Sequence, residues 1–318
     1  MKLSEREQRL CAAADLSEAD SLASLAQRSG QRISTTRYLL QKLLKAGVIY
    51  RRVRIDFLKL GLVDTAVFLS MGDLSRQARA RFERQVMKDK RVCYLGSLAG
   101  QYQYGLVTMT DTISEVGTFL HDLADMAGKN LVNRVIAPRL SFTQYSRGYL
   151  APGLSRRTLV VGHSDTAVEV DELDKRILST AAGSQFDSMR ALARTLGEPH
   201  ATIERRFSKL VDNKVIQGVF FEIDPRQIPV SAFRVHVGLR FLGGELAASI
   251  QKFCARSPNV TFLTHAFGSW DYEIGLEVTA MSEVTQFTSE LSELVSEAMS
   301  SLDILAEVAD LKWTFYPG

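Results

Sequence analysis

Residues 173–224 read LDKRILSTAAGSQFDSMRALARTLGEPHATIERRFSKLVDNKVIQGVFFEID, and their periodicities decide the fold. Leu173, Ile177, Leu178 and Ala181 fall on one helical face. Met189, Leu192, Ala193 and Leu196 do the same in a second, short helix, which Gly197 ends cheaply in a sharp turn. A third helix is predicted from about Pro199, where a missing N–H costs nothing at a first helical position. It buries Ile203, Phe207, Leu210 and Val211, and shows Thr202, Arg205, Arg206 and Lys209. Residues 215–224 then turn to a two-residue alternation, the mark of a strand. Three short helices, a glycine turn before the third and a β wing spell a winged helix-turn-helix.

Working outward, the chain meets itself. At an offset of 167 residues Gly30 falls on Gly197, Thr35 on Thr202, Lys42 on Lys209 and Leu43 on Leu210. With one more residue of offset, Ile55-Asp56 falls on Ile223-Asp224, Leu95 on Leu263, Gly100 on Gly268 and Tyr104 on Tyr272. Two copies of one two-part unit follow. After each wing the pattern runs β-α-β-β-α-β, a split βαβ sandwich with four antiparallel strands and two helices on one face. Its other face needs a cover, from a second chain or from the other copy. The fold class expected is α+β, with two winged helix-turn-helix domains alternating with two ferredoxin-like βαββαβ domains. The boundaries expected are 1–60 and 61–148, a linker at 149–170, then 171–226 and 227–318.

Composition sets bounds. At 318 residues the chain exceeds one small domain, and 46% hydrophobic with 24% charged residues is ordinary for a globular protein. It holds no apolar run of about 18 residues, and its first residues are charged where a signal peptide needs an apolar core. Cys11, Cys93 and Cys254 form neither metal spacing nor disulfide framework, so a cytoplasmic location without metal or cofactor is expected. The net charge of +3 hides a gradient. Residues 1–61 carry twelve Lys/Arg against six Asp/Glu, whereas residues 227–318 carry five against eleven. A basic first module suits phosphate contact.

Several strings together resemble the Lrp/AsnC family of feast-famine regulators. They are Leu173-Asp174-Lys175-Arg176-Ile177-Leu178, the Lys209-Leu210 helix end, Val215-Ile216-Gln217-Gly218, and Gly268-Ser269-Trp270-Asp271-Tyr272. Nearly the whole chain is covered, as two tandem units. The resemblance implies a regulator that binds double-stranded DNA and assembles through its ferredoxin-like (RAM-type) domains into a homodimer or higher homo-oligomer. It also implies a small effector, such as an amino acid, bound between those domains. The first copy departs from the pattern. It opens Glu5-Arg6-Glu7-Gln8-Arg9-Leu10, and it carries Gln103 where the second has Asp271.

The residues expected to face DNA are Thr35, Arg37, Gln41, Lys42 and Lys45 in the first third helix, with Ser34 as its cap. His200, Thr202, Arg205, Arg206 and Lys209 are their counterparts in the second. Arg51, Arg52 and Arg54 of the first wing are expected on its outward face, along phosphates. A helix-turn-helix that packs only against protein is the bland alternative. The effector residues implied are Gly268, Trp270, Asp271, Tyr272, Gly100 and Gln103. Asp271 competes with a plain turn role, and Trp270 and Tyr272 with packing. No phosphate-cradling loop, nucleophile elbow or zinc spacing is present, so no enzyme is expected. Two alternatives share the architecture: a sirohaem decarboxylase-like enzyme, of whose chemistry only His265 is on offer, and a DNA-independent sensor or scaffold.

Overall fold

The computed structural model describes residues 3–18, 21–72, 74–162, 167–183 and 186–317; linker residues 163–166 lie outside them. The first head comprises α1 (Glu5–Ala14), α2 (Leu22–Ser29), α3 (Ile33–Lys45) and the wing strand β1 (Ile49–Ile55). The first sandwich follows as β2 (Val63–Met71), α4 (Arg76–Lys88), β3 (Val92–Ala99), β4 (Tyr104–Thr110), α5 (Ile113–Ala127) and β5 (Leu131–Tyr145). A connecting strand, β6 (Thr158–Gly162), leads to the second head, α6 (Glu172–Gly183), α7 (Met189–Leu196), α8 (His200–Asp212) and β7 (Ile216–Ile223). The second sandwich is β8 (Ser231–Leu239), α9 (Gly244–Arg256), β9 (Val260–Ala266), β10 (Tyr272–Val278), α10 (Met281–Val295) and β11 (Met299–Trp313). Among the described residues, no helix is long and apolar enough to cross a membrane.

Local chemistry sets the head geometry. Gly30 and Gly197 close α2 and α7 at φ 69° and 70°, left-handed values that glycine adopts without a Cβ penalty. The helix that follows starts one residue earlier than expected in the first copy. Arg32 is its N-cap, without a side-chain bond, so Ser34 is inside the first turn rather than the cap. In the second copy Pro199 is the N-cap and His200 the first helical residue.

The wings pair with each other. β1 and β7 form an antiparallel ribbon in which Ile49 faces Ile223 and Ile55 faces Ile216. These two pairs are repeat equivalents, so a pseudo-twofold axis runs through the ribbon. Each wing then packs on the other head. Val53 and Ile55 of β1 join Ile177, Phe207 and Leu210, while Phe221 and Ile223 of β7 join Leu10, Leu25 and Leu43. Every one of these ten side chains is less than 9% exposed. At about 1.5–3 kcal/mol for each buried large aliphatic or aromatic side chain, the exchange makes the two heads one packed body.

The sandwiches merge by the same logic. The first sheet runs β5-β2-β4-β3 and the second β11-β8-β10-β9. The first part of β5 pairs with β2 and its later part with β9; β11 pairs first with β8 and later with β3. Eight strands thus close into a ring, with β6 added along the end of β5. That closure explains why the last strand of each copy is 15 residues long. The helices pack outside the ring, α4 and α5 through Phe82, Val86, Phe119 and Leu123, α9 and α10 through Ile250, Val284, Phe287 and Leu291. Inside, Ala66, Phe68, Leu98 and Ala137 of the first copy meet Ala266, Trp270 and Leu305 of the second. The cover that each sheet needs is therefore the other copy.

Candidate nucleic-acid interface

The third helix of each head is held against the first by ion pairing. In head one, Lys42 Nζ donates to Glu7 Oε1 at 2.7 Å. Glu7 also completes a capping box with Ser4, and these bonds pull its carboxyl down to about 2. In head two, Arg206 reaches Asp171 at 2.7 Å and Asp174 at 2.9 Å. Glu7 and Asp174 are repeat equivalents, so the first copy keeps this clamp although it lacks the Leu-Asp opening. Lys42 and Arg206 thereby spend donor capacity within the protein.

The remaining polar face of each third helix is open. Arg37, Gln41 and Lys45 are exposed on α3, beside Tyr38 at 66% and Ile33 at 50% exposure. Thr35 and Thr202 are half-buried near the helix starts. On α8, His200, Arg205 and Lys209 are exposed, with His200 Nδ1 3.7 Å from Glu204.

The first wing departs from expectation. Of the three only Arg51 is exposed, at the edge of the face that Val53 and Ile55 bury, 5.5 Å from the Phe221 ring. Arg54 is fully buried: it pairs with Glu222 at 2.6 Å, bonds Gln144, and lies 3.9 Å from the Phe315 ring centroid. Arg52 turns the same way, over Trp313 and Phe315 and 3.8 Å from Glu222. The reason is strand alternation: Arg52 and Arg54 share a face, and the β1–β7 ribbon turns that face toward the barrel. Burial works against charge on Glu222, yet Arg54 and Arg52 hold its carboxyl below the usual range. Sequence reading missed this reversal, since three arginines in four positions look like a surface until the ribbon's partner is known.

The turns expected to hold an effector do structural work. Asp271 Oδ2 accepts from Leu239 N at 2.6 Å, and its equivalent Gln103 Oε1 accepts from Met71 N at 2.7 Å. The two side chains differ but satisfy the same backbone donor. Gly268 backs onto the long strand of the other copy, where an added Cβ would sit 2.8 Å from the Ile136 carbonyl oxygen; Gly100 abuts Leu305 and Ile304. Trp270 is 3% exposed and stacks on His236 at 4.1 Å; Tyr272 is buried and stacks on His265 at 5.0 Å. Burial pushes the His236 imidazole down to about 4.

A cavity of about 90 Å³ lies where the ribbon meets the ring, and repeat-equivalent positions such as Phe57 and Pro225, Tyr94 and Phe262, Arg139 and Glu307 line it. It therefore sits on the pseudo-twofold axis. Each arginine in its wall is engaged: Arg139 with Asp64 at 2.8 Å, Arg147 with Asp15 and Glu277, Arg234 with Glu273 and Glu307. Arg147 ties head one to the ring, because Asp15 caps α1 and Glu277 is on β10. Among the described residues, no group of three or more His, Cys, Asp or Glu is arranged to hold a metal.

No family profile matches the chain. An uncharacterised HTH-type transcriptional regulator of Pyrococcus furiosus is 23% identical over 141 residues, 44% of this chain and 94% of the relative. The matched stretch is about the length of one unit of the repeat. In sequence the chain is thus similar to HTH-type transcriptional regulators. The HTH-type regulator AldR of Mycobacterium tuberculosis is 44% identical over 57 residues, which cover 18% of the tandem chain and 32% of AldR. A crystal structure of the siroheme decarboxylase NirDL, in complex with an iron-uroporphyrin III analogue, matches the tandem architecture end to end. It covers 99% of this chain and 94% of that one, with a TM-score of 0.61 and 14% identity. The expectation that the chain is not an enzyme is overturned by this match, because the fold that spans the tandem chain whole is one that an enzyme uses. Missing motifs of unrelated enzyme classes said nothing about it.

Proposed function

We propose that the tandem chain is a DNA-binding transcriptional regulator carrying both heads of a dimer in one polypeptide. The observation that carries this reading is the open polar face on each third helix, in two heads related by the pseudo-twofold of the wing ribbon. A third helix so placed enters a major groove, with early residues at base edges and later basic ones at phosphates. Thr35, Arg37, Gln41 and Lys45, with His200, Thr202, Arg205 and Lys209, form the DNA-facing set. Arg51 joins them, whereas Arg52 and Arg54 brace the ribbon. Binding of random-sequence duplex DNA at rising salt tests it. Affinity should fall linearly on a log–log plot as phosphates release counterions, and undetectable binding at low salt would sink the regulator.

We place the effector site in the axis cavity rather than at the Gly100 and Gly268 turns. The support is Arg147, which lines the cavity and holds a head to the ring. A small molecule that competes for Arg147 would alter how head one is seated. Thermal shift with candidate effectors on the wild type and on Arg147→Lys reads it; equal responses from both would remove the cavity from the account.

One observation favours a second reading, an enzyme acting on a polycarboxylate. Arg139, Arg147 and Arg234 surround a single cavity, and guanidinium groups recognise carboxylates bidentately. Against it, all three are already paired within the protein. Adding sirohaem and watching for a shifted visible spectrum with carbon dioxide release decides between the two.

A further inference from the structure

The pseudo-twofold gives both third helices the same placement, but it does not give them the same side chains. At the offset of 167 residues Arg37 matches Glu204, Tyr38 matches Arg205, Gln41 matches Ser208 and Lys45 matches Asp212. All eight are exposed. Thr35 and Thr202 are shared, as are Lys42 and Lys209 and the buried Leu43 and Leu210; the inward positions also change, Thr36 to Ile203 and Leu39 to Arg206, but the four outward changes are the ones that alter charge and hydrogen bonding toward a groove. The apolar side stays apolar where Leu40 and Leu43 are answered by Phe207 and Leu210.

A palindromic duplex offers identical edges to two helices related by a twofold axis. Only identical side chains can read both halves equally well. Gln41 presents the paired donor and acceptor that suit adenine, and the neighbouring exposed Tyr38 and Ile33 offer apolar surface to a thymine methyl. Arg205 presents the fork that suits guanine O6 and N7, while Ser208 has no comparable reach. At the far end of the helix Lys45 attracts a phosphate where Asp212 repels one. Resting on the DNA-binding reading above, we propose that the target is non-palindromic. An A·T half-site lies under α3, a guanine-bearing half-site lies under α8, and the phosphate grip is firmer on the first.

The test is selection of bound sequences from a random duplex library by the full-length chain, repeated with Gln41→Ala and Arg205→Ala. Both side chains are exposed, so an unchanged melting temperature will show that the variants fold. Two unlike half-sites are expected, centred about one helical turn or a multiple of it apart. Gln41→Ala should relax preference in the A·T half alone, and Arg205→Ala should relax guanine in the other, each by on the order of tenfold. A palindromic product would overturn the proposal, as would variants that change both halves alike. Salt-dependent binding with no enriched sequence would overturn it too while leaving DNA binding in place. Loss of all binding would remove both.

Discussion

His236 is a residue whose meaning comes from its repeat partner. The equivalent position in the first copy is Phe68, and the two rings meet edge to face at 4.5 Å inside the ring of strands. Burial holds the imidazole neutral down to about pH 4, against 6.5 for a free histidine. The unfolded chain therefore binds a proton that the folded chain does not, and stability falls as pH drops from about 6.5 toward 4. His236→Phe should remove that loss, up to about 3 kcal/mol, while leaving stability near pH 8 little changed. Urea titrations across this pH range check it, and parallel curves for the two proteins would contradict it. Arg54 and Arg51 make a second contrast at this scale. Arg54→Met leaves Glu222 buried with only Arg52 and Tyr50, and should cost about 3–5 kcal/mol. Arg51→Ala should move stability by less than about 0.5 kcal/mol, as an exposed substitution does. Denaturation midpoints of both variants give the comparison.

At the scale of elements, α3 has the more basic outward face of the two third helices, with Arg37 and Lys45 where α8 has Glu204 and Asp212. Replacing Arg37, Gln41 and Lys45 together by alanine should weaken binding and lower the salt slope by about two, one for each lost cation. The same treatment of Arg205 and Lys209 in α8 should lower it by no more than the same amount, because Glu204 and Asp212 stand beside them. Fluorescence anisotropy at several salt concentrations measures both slopes, and a larger drop for α8 would reverse the ranking of the heads. Elements were legible where period and turn chemistry acted locally. Gly30 and Gly197 marked the turns, and the alternation at 215–224 marked a wing. The facing of the first wing was not legible, because it depends on a partner strand 161–174 residues away. The same limit hid the ring: residues 131–145 and 299–313 read as long strands, but nothing in their period says that each serves two sheets. Asp271 and Gln103 looked like divergence in function, whereas both satisfy one backbone N–H, a likeness visible only in three dimensions.

For the whole molecule, the question is why copy one pairs with copy two rather than each with itself in another chain. The ring interior answers by asymmetry. Where copy two places Arg234, His236, Glu273 and Glu307 inside, copy one places Ala66, Phe68, Gly105 and Arg139 at the equivalent positions. Bulk and charge on one side thus meet small or opposite groups on the other. A self-pair of the second copy would bring two Glu273–Arg234–Glu307 sets and two His236–Trp270 stacks together, burying surplus carboxylates at a cost of several kcal/mol. A self-pair of the first would bring together two Phe68 rings, each already seated on its own Gly105, and would lose the His236 and Trp270 rings that each meets edge to face. Expressed as separate chains, residues 1–162 and 167–318 should therefore combine one to one through β1–β7, β3–β11 and β5–β9. Native mass spectrometry of the co-expressed halves reads the composition directly. The heteromer should dominate, and self-pairs in statistical proportion would show that interior asymmetry does not choose the partner.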